Sequence, residues 1–337
     1  IEKILCKNFQ KKYSILTNSW TNGVISILIS LNLKPRDEII IPACTFVACA
    51  NVIEMVGAKV VFADIDPQTK LMDINDCISK ITKKTKAIMP VHLYGNLFQT
   101  KNLKSKIRKS IFIIEDSAHA FCGEYHNNIL GKYSDFAVFS FYATKSITCG
   151  EGGAIITNHK NYADKIRSIS NNGMTKPAFK RFVNNKYIPW DVYNIGFKAN
   201  LSDINASILI GQVNNYKRIA KIKKKVFFLY KKYLSQISNL SFPTQIKNKN
   251  RDYYLFPIGV NKKYRNKLIE YLLKKKIFVT VNFKSVAELS YYKKKYKRIN
   301  CPNSKNWGEQ QISLPFHAKL SLSEIKTVSS EIKKFFK

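Results

Sequence analysis

Short apolar runs alternate with stretches of helical periodicity through the first 145 residues. Five runs rich in Ile, Val and Phe are typical of buried strands: Glu38–Pro42, Lys59–Ala63, Ala87–Val91, Ile111–Glu115 and Asp135–Phe141. The stretches between them that have helical spacing are Gly23–Leu31, Val47–Val56, Ile74–Ile81 and Leu103–Lys109. This alternation predicts an α/β fold with a large, mostly parallel sheet covered by helices.

The pattern changes after residue 200. Ser202–Ile237 is helical and strongly basic, which predicts a long connecting helix. The later elements are two strands, Tyr253–Val260 and Ile277–Asn282, and two helices, Lys263–Lys275 and Ser321–Phe336. We therefore expect a large domain over residues 1–215 and a smaller C-terminal α/β domain over residues 216–337.

Polar and aromatic residues follow the predicted strands. They are Thr45, Phe46, His92, Asp116 and Ser140. Ligands of parallel α/β sheets gather at the carboxyl ends of the strands. The sequence therefore predicts a binding site at that edge of the sheet.

The net charge of +35, from 57 Lys and Arg against 22 Asp and Glu, invites a nucleic-acid-binding interpretation. However, the basic residues are spread along the chain among many Ile and Asn residues. This composition is typical of solvated helix faces that an AT-rich genome encodes. The sequence has no helix-turn-helix, zinc or RNA-binding motif. We favour composition bias over a nucleic-acid groove, and a positive field would help to gather an anionic substrate.

The sequence also disfavours three other classes of protein: metal-binding or disulfide-linked proteins, membrane-spanning proteins and proteins with a signal peptide. The seven cysteines form no C-x-x-C pair and no zinc spacing, so we expect reduced thiols, no metal site and a cytoplasmic protein. No apolar run reaches the roughly 18–20 residues that cross a membrane. Ile1–Ser14 lacks the apolar core of a signal peptide.

Lys145 is the first candidate for chemistry. It lies just past an apolar strand, between Ser140 and the glycine-rich run Gly150-Glu-Gly-Gly153. A lysine that is desolvated at a strand end has a lowered pKa, and its neutral amine can form a Schiff base. The alternative is an ordinary solvated lysine.

Asp116 and His119 form the second candidate group. Asp116 closes the strand Ile111–Glu115, and a buried carboxylate there could keep a pyridinium cofactor protonated. The alternative for Asp116 is a helix cap or a turn. His119 would share its face if a helix begins there, and would otherwise be an ordinary core histidine.

The third candidate is Thr17-Asn-Ser19-Trp-Thr21-Asn22-Gly23, which opens a helix. Free backbone N–H groups and hydroxyls at a helix N-terminus bind anions such as phosphate. The alternative is a simple Ser/Thr cap.

Together these motifs resemble the DegT/StrS sugar aminotransferases over most of the chain, from Ile15 to about Phe336. The matching segments, in the family's order, are Pro42-x-x-Thr45-Phe46-x-Ala48-x-Ala50-Asn51, Val91-His-x-Tyr-Gly95, Glu115-Asp116, Phe139-Ser140-Phe141, Lys145, Gly150-Glu-Gly-Gly153 and Ser313-Leu-Pro315. The resemblance implies the aspartate-aminotransferase fold, fold type I of the transferases that depend on pyridoxal phosphate.

The resemblance also implies residue roles. Lys145 would hold pyridoxal phosphate as an internal aldimine and then move protons, passing through pyridoxamine phosphate. Asp116 would pair with the pyridine nitrogen, His119 would contact the 3-hydroxyl, and Phe46 would stack on the ring. The phosphate would bind residues of two groups: Trp20, Thr21, Asn22 and Ser140 of the same chain, and Lys198 or Asn200 of the neighbouring subunit in a homodimer.

Three features resemble the branch that aminates C-4 of UDP-linked keto sugars: Glu151 in the glycine run, His119 after Ala118, and the Lys198/Asn200 pair. We therefore expect glutamate as amino donor and a UDP- or dTDP-linked 4-keto-6-deoxyhexose as acceptor. The alternatives are amination at C-3, a sugar dehydratase (which carries His where this chain has Lys145), a catalytically silent member and a nucleic-acid-binding regulator.

Two departures from the family pattern affect these expectations. Trp20 and Asn22 replace small residues of the phosphate loop. Val281–Ala287 lacks the family's histidine-rich substrate pattern.

Overall fold

The computed structural model describes residues 1–121, 124–125, 128–175, 182–183, 186–187, 189–192, 194–246, 251–297 and 299–337. Its helices are α1 (Glu2–Phe9), α2 (Trp20–Ser30), α3 (Ala48–Met55), α4 (Ile74–Ser79), α5 (Thr100–Lys104), α6 (Lys160–Ile169), α7 (Asp203–Leu234), α8 (Lys262–Lys274), α9 (Ser290–Lys295), α10 (Pro302–Gln310) and α11 (Leu322–Phe335). Its longer strands are β1 (Tyr13–Thr17), β2 (Glu38–Pro42), β3 (Lys59–Ala63), β4 (Thr85–Ile88), β5 (Phe112–Asp116), β8 (Phe136–Ser140), β9 (Gly153–Thr157), β13 (Phe256–Val260) and β14 (Gln311–Leu314). Its two-residue strands are β6 (Glu124–Tyr125), β7 (Asn128–Ile129), β10 (Phe182–Val183), β11 (Lys186–Tyr187) and β12 (Leu240–Ser241).

The large sheet has seven strands in the order β1-β9-β8-β5-β4-β2-β3. The strands β3, β2, β4, β5 and β8 pair with one another in parallel. The strand β9 runs antiparallel to both of its neighbours, β8 and β1. The predicted mostly parallel sheet is therefore confirmed. The strand predicted at Ala87–Val91 instead ends at Ile88, because Pro90 has no N–H for the ladder and only Val91 bridges to Asp116.

The sheet also contains elements that the apolar pattern did not indicate. β1 and β9 form one side of the sheet, and α1 and α6 pack near them. The predicted helix Leu103–Lys109 is displaced to α5. The helix α5 packs through Leu103, whereas residues 105–110 are exposed except for Ile107, which is partly buried against the core.

The C-terminal part contains α7, as predicted, and a three-stranded antiparallel sheet in the order β12-β13-β14. The strand predicted at Ile277–Asn282 is wrong. β14 occupies the edge of β13, and only Thr280 of the predicted strand forms a bridge, to Ser313. The chain then turns back, and Val286 packs into the core of the large sheet.

The described apolar residues pack into three buried clusters. The largest surrounds the parallel strands, and Trp307 from the C-terminal part joins it. The first half of α7 packs in a second cluster through Leu209 and Val213, whereas Phe227 and Tyr230 of its second half pack in a third with β13 and β14. The division at residues 215/216 falls inside α7 and stays a prediction. Among the described residues, no helix is long and apolar enough to cross a membrane.

Candidate active site

A cavity of about 460 Å³ opens at the carboxyl edge of the parallel strands. This volume is typical of small-molecule sites. Seven of the residues singled out from the sequence line it: Trp20, Thr21, Phe46, Asp116, His119, Ser140 and Lys145. The predicted site at the strand ends is therefore a real concavity of the fold.

Asp116 lies in the wall of the cavity because it is the last residue of β5. Its carboxylate is 4% exposed, with Oδ1 accepting from the Ala118 N–H at 2.9 Å and Oδ2 from the Cys49 thiol at 3.2 Å. Burial raises the pKa of Asp116, although these hydrogen bonds and the charge of Lys145 partly oppose the increase. A cation bound against Asp116 would stabilise its ionised form.

His119 lies on the turn that follows β5, not on a helix as the sequence reading allowed. Its Nδ1 accepts a hydrogen bond from the Tyr94 N–H at 3.4 Å, which assigns the ring proton to Nε2. Burial, with the charges of Lys145 and Lys223, holds the pKa of His119 far below its ordinary value. His119 is therefore a neutral hydrogen-bond donor.

Aromatic rings surround His119. The Tyr254 ring lies 4.2 Å from it and the Phe283 ring 5.8 Å, both measured between centroids. Phe46 contacts Phe283 at 5.6 Å and remains 55% exposed at the cavity. A flat ligand bound here would contact several aromatic rings.

Lys145 reaches the cavity from the loop after β8. A turn bond from its N–H to the Tyr142 carbonyl, 2.9 Å long, shapes this loop. The Lys145 Nζ lies 4.9 Å from the centroid of the Tyr254 ring, which is a cation–π contact. The lysine and Asp116 thus share one cavity, as the sequence predicted.

The start of α2 forms another part of the cavity wall. Ser19 caps the helix by accepting from the Asn22 N–H at 3.1 Å, and the first helical N–H groups have no partner within the helix. Gly153 of β9 makes this arrangement possible. A Cβ atom at Gly153 would lie 2.6 Å from the Ser19 carbonyl carbon and 2.7 Å from the Trp20 nitrogen.

Three predicted residues do not line the cavity. The Asn22 side chain donates to Asn18 Oδ1 at 2.8 Å. Lys198 and Asn200 are exposed, while Ala199 between them is buried and its carbonyl accepts from the Asn18 N–H at 2.6 Å. The Lys198–Asn200 segment therefore lies beside the start of α2 through its backbone. The exposed Asn200 side chain donates to the Leu201 carbonyl at 3.4 Å.

The sequence reading did not name several lining residues as cofactor contacts, among them Cys49, Glu151, Tyr254 and Phe283. Cys49 falls at an unspecified position of the motif that begins at Pro42, so its spacing on α3 could have indicated it. Tyr254 precedes β13 and is about 110 residues from Lys145, a distance that no local pattern spans.

The chain matches the DegT/DnrJ/EryC1/StrS aminotransferase family over residues 1–333. The chain belongs to this family. A curated relative, the spore coat polysaccharide biosynthesis protein SpsC of Bacillus subtilis, is 30% identical over 334 residues, which cover 97% of this chain and 86% of SpsC.

Two solved structures show the same fold. Spr1654 of Streptococcus pneumoniae, classed as a sugar aminotransferase and solved in its pyridoxamine phosphate form, superposes with a TM-score of 0.91 at 28% identity, covering 99% of this chain and 90% of that chain. PseC of Helicobacter pylori, an aminotransferase involved in the biosynthesis of pseudoaminic acid, gives 0.90 at 26% identity with the same coverage. This DegT/StrS member is a sugar aminotransferase that depends on pyridoxal phosphate.

The residues present fit that cofactor. Asp116 offers a buried carboxylate to a pyridinium nitrogen, Lys145 offers an amine, and the start of α2 offers N–H groups to a phosphate. His119 offers a neutral N–H to a ring oxygen. All four groups lie around one cavity.

Proposed function

We propose that this enzyme moves an amino group from L-glutamate to C-4 of a UDP- or dTDP-linked 4-keto-6-deoxyhexose. The observation that carries the proposal is that the cavity places Glu151 with Lys145, Asp116 and His119. Glu151 and His119 belong to the sequence pattern that resembles the C-4 branch. PseC and SpsC, which act in sugar and polysaccharide biosynthesis by their names, support the same class of substrate.

Each polar group then has a proposed task. When bound, pyridoxal phosphate supplies an electron sink for the carbon from which a proton is removed. The Lys145 amine would hold the cofactor and would carry the proton to or from the reacting carbon. Asp116 would keep the pyridine nitrogen protonated, and His119 would offer its Nε2–H to the 3-hydroxyl oxygen. Trp20, Thr21 and Ser140 hold the phosphate.

The substrate also carries charge. A nucleotide sugar is an anion through its diphosphate, and the net charge of +35 favours its approach to the protein. The exposed rings of Phe46 and Tyr142 line the cavity, where they can cover apolar faces of the incoming sugar.

We also propose a homodimer in which Lys198 or Asn200 completes the neighbour's phosphate site. Residues 194–208, here named the outer segment, support this proposal. Ile195 is 90% exposed and Ile204 is 76% exposed, with Ile208 also exposed one helical turn further along α7. Burying such side chains against a second copy would be favourable. The cytoplasmic location stays a prediction.

The direct test is a panel of UDP- and dTDP-linked keto sugars that carry the ketone at C-3 or C-4, with glutamate as donor. Mass spectrometry identifies the aminated product, and NMR locates the new amine. We expect amination at C-4. An amine at C-3, or no reaction with any 4-keto nucleotide sugar, would contradict the proposal.

A further inference from the structure

A buried polar cluster lies directly behind the cavity wall that carries Lys145. It consists of the half-buried Ser146, which follows Lys145 in the chain, and of the buried Lys223 from α7 and Asp252 from the segment before β13. Lys223 is 6% exposed, and Asp252 is 1% exposed. Two opposite charges at this depth are stable only if they are paired and hydrogen-bonded.

The Ser146 hydroxyl connects the two charges. It accepts from the Lys223 ammonium at 3.0 Å and donates to Asp252 Oδ1 at 2.8 Å. The other carboxylate oxygen of Asp252 accepts from the Phe121 N–H at 3.0 Å. Each member of the cluster is therefore fixed by another member, and Asp252 is also fixed by the backbone after β5.

The same cluster is tied to three side chains of the cavity. Lys145 is next to Ser146, Tyr254 is two residues after Asp252, and His119 is two residues before the Phe121 N–H that Asp252 binds. The Tyr254 ring also has both lysines near it, with the Lys145 Nζ at 4.9 Å and the Lys223 Nζ at 5.5 Å from its centroid.

The backbone around Asp252 leaves little room for adjustment. A Cβ atom at Gly95, where φ is +77°, would lie 1.7 Å from the Asp252 carbonyl oxygen. The preceding residue, Arg251, is half-buried, and its guanidinium donates to the Tyr94 carbonyl at 3.3 Å. Asp252 is therefore held in a close-packed position, so that it can fix the positions of the residues that it binds.

We propose that Ser146, Lys223 and Asp252 are positioning residues that hold the Lys145 amine against the Tyr254 ring, ready for the cofactor aldehyde. They do not line the cavity themselves. Their effect is on how fast Lys145 captures the cofactor, because misplacing a reacting group by about 1 Å can slow a reaction by about a hundredfold. This inference rests on the proposed role of Lys145.

The test compares Ser146→Ala, which removes the bridging hydroxyl, with Ser146→Thr, which keeps it. Pyridoxal phosphate is added to each cofactor-free protein, and borohydride quenching at successive times gives the rate constant of covalent capture. We expect Ser146→Ala to lower this rate constant by about tenfold or more. We expect Ser146→Thr to recover most of it. The visible circular dichroism of the bound cofactor should change in Ser146→Ala and return in Ser146→Thr.

Ser329→Ala is the matched control, because Ser329 on α11 is a buried serine whose hydroxyl likewise donates a hydrogen bond, to the Ile325 carbonyl at 2.8 Å. This control should capture the cofactor at the wild-type rate. Should Ser146→Ala fail to fold, the double variant Lys223→Met/Asp252→Asn removes both charges at once, and we expect it to slow capture in the same direction.

The outcomes separate the two proposals. Wild-type capture rates and dichroism in a folded Ser146→Ala protein would overturn the positioning role and leave Lys145 as the capturing residue. Failure of Ser146→Thr to recover the rate would also contradict it. Capture on another lysine in the wild-type protein would instead contradict the proposed function itself.

Discussion

Two regions predicted to contact the cofactor differ in how completely one chain builds them. Around Asp116 and His119 the side chains are buried, oriented by hydrogen bonds and surrounded by rings. In the outer segment, Lys198 and Asn200 are exposed and do not line the cavity, and exposed isoleucines follow them. One chain thus orients the groups around Asp116 and His119 by itself, and we propose that the outer segment contributes to a site only in a homodimer.

Asp116→Asn should have the largest effect on this comparison. The amide has a similar shape but cannot keep a pyridine nitrogen protonated. A cofactor bound there would then stabilise the carbanion-like transition state less well. We expect turnover to fall by at least about a hundredfold while the cofactor still binds covalently. Single-turnover kinetics with glutamate measure the loss.

The control for this substitution is Asp164→Asn, an exposed carboxylate on α6. It should leave turnover unchanged. Turnover close to wild type in Asp116→Asn would contradict the proposed role of Asp116 in catalysis.

Mixed dimers sharpen the other side of the comparison. One partner carries Lys145→Ala, and the other carries Lys198→Ala/Asn200→Ala. If the outer segment completes the neighbour's site, each mixed dimer contains one fully intact site and one doubly altered site. We therefore expect mixing to restore activity that neither variant has alone at limiting cofactor. Activity no higher than the mean of the separate variants would place each site within one chain.

His119 gives the smallest effect, a dependence of stability on pH. Because the folded state holds the pKa of His119 far below its ordinary value, the unfolded chain binds a proton below about pH 6.5 that the folded chain does not. The free energy of unfolding should therefore fall as the pH drops below that value, by up to about 1.4 kcal/mol per pH unit from this residue. The contribution is fully present above pH 6.5.

Denaturant unfolding of the cofactor-free protein between neutral and mildly acidic pH measures this slope. His119→Gln has no proton to gain there and should show a shallower fall. Equal slopes in the two proteins would mean that His119 titrates normally in the folded state.

The extent to which the sequence predicted the molecule follows the same division. Strands such as Glu38–Pro42 and residues at their ends were predictable, because continuous apolar runs and strand-end positions are local features. Phe46, Asp116 and Ser140 were singled out at such positions, and they line the cavity. In all, seven of the ten predicted site residues line it, but the full set was implied by the family resemblance rather than by strand ends alone. Tyr254, Phe283 and the Ser146–Lys223–Asp252 cluster were not predicted, because they meet only through tertiary folding.

Other errors had local causes. The apolar run Ile277–Asn282 has strand composition, yet β14 takes the pairing edge of β13. Pro90 ended β4 early. The β1–β9 pair was not predicted, because β9 begins inside the glycine-rich run that ends at Gly153. The composition of a segment does not determine which other segment it pairs with in the folded sheet.

The most direct measurement is identification of the lysine that binds the cofactor. Borohydride reduction of the protein loaded with pyridoxal phosphate, followed by digestion and mass spectrometry, fixes the cofactor to the residue that holds it. We expect label on the peptide that contains Lys145 and loss of that label in Lys145→Ala. Label on any other lysine, or none on the wild-type protein, would contradict it.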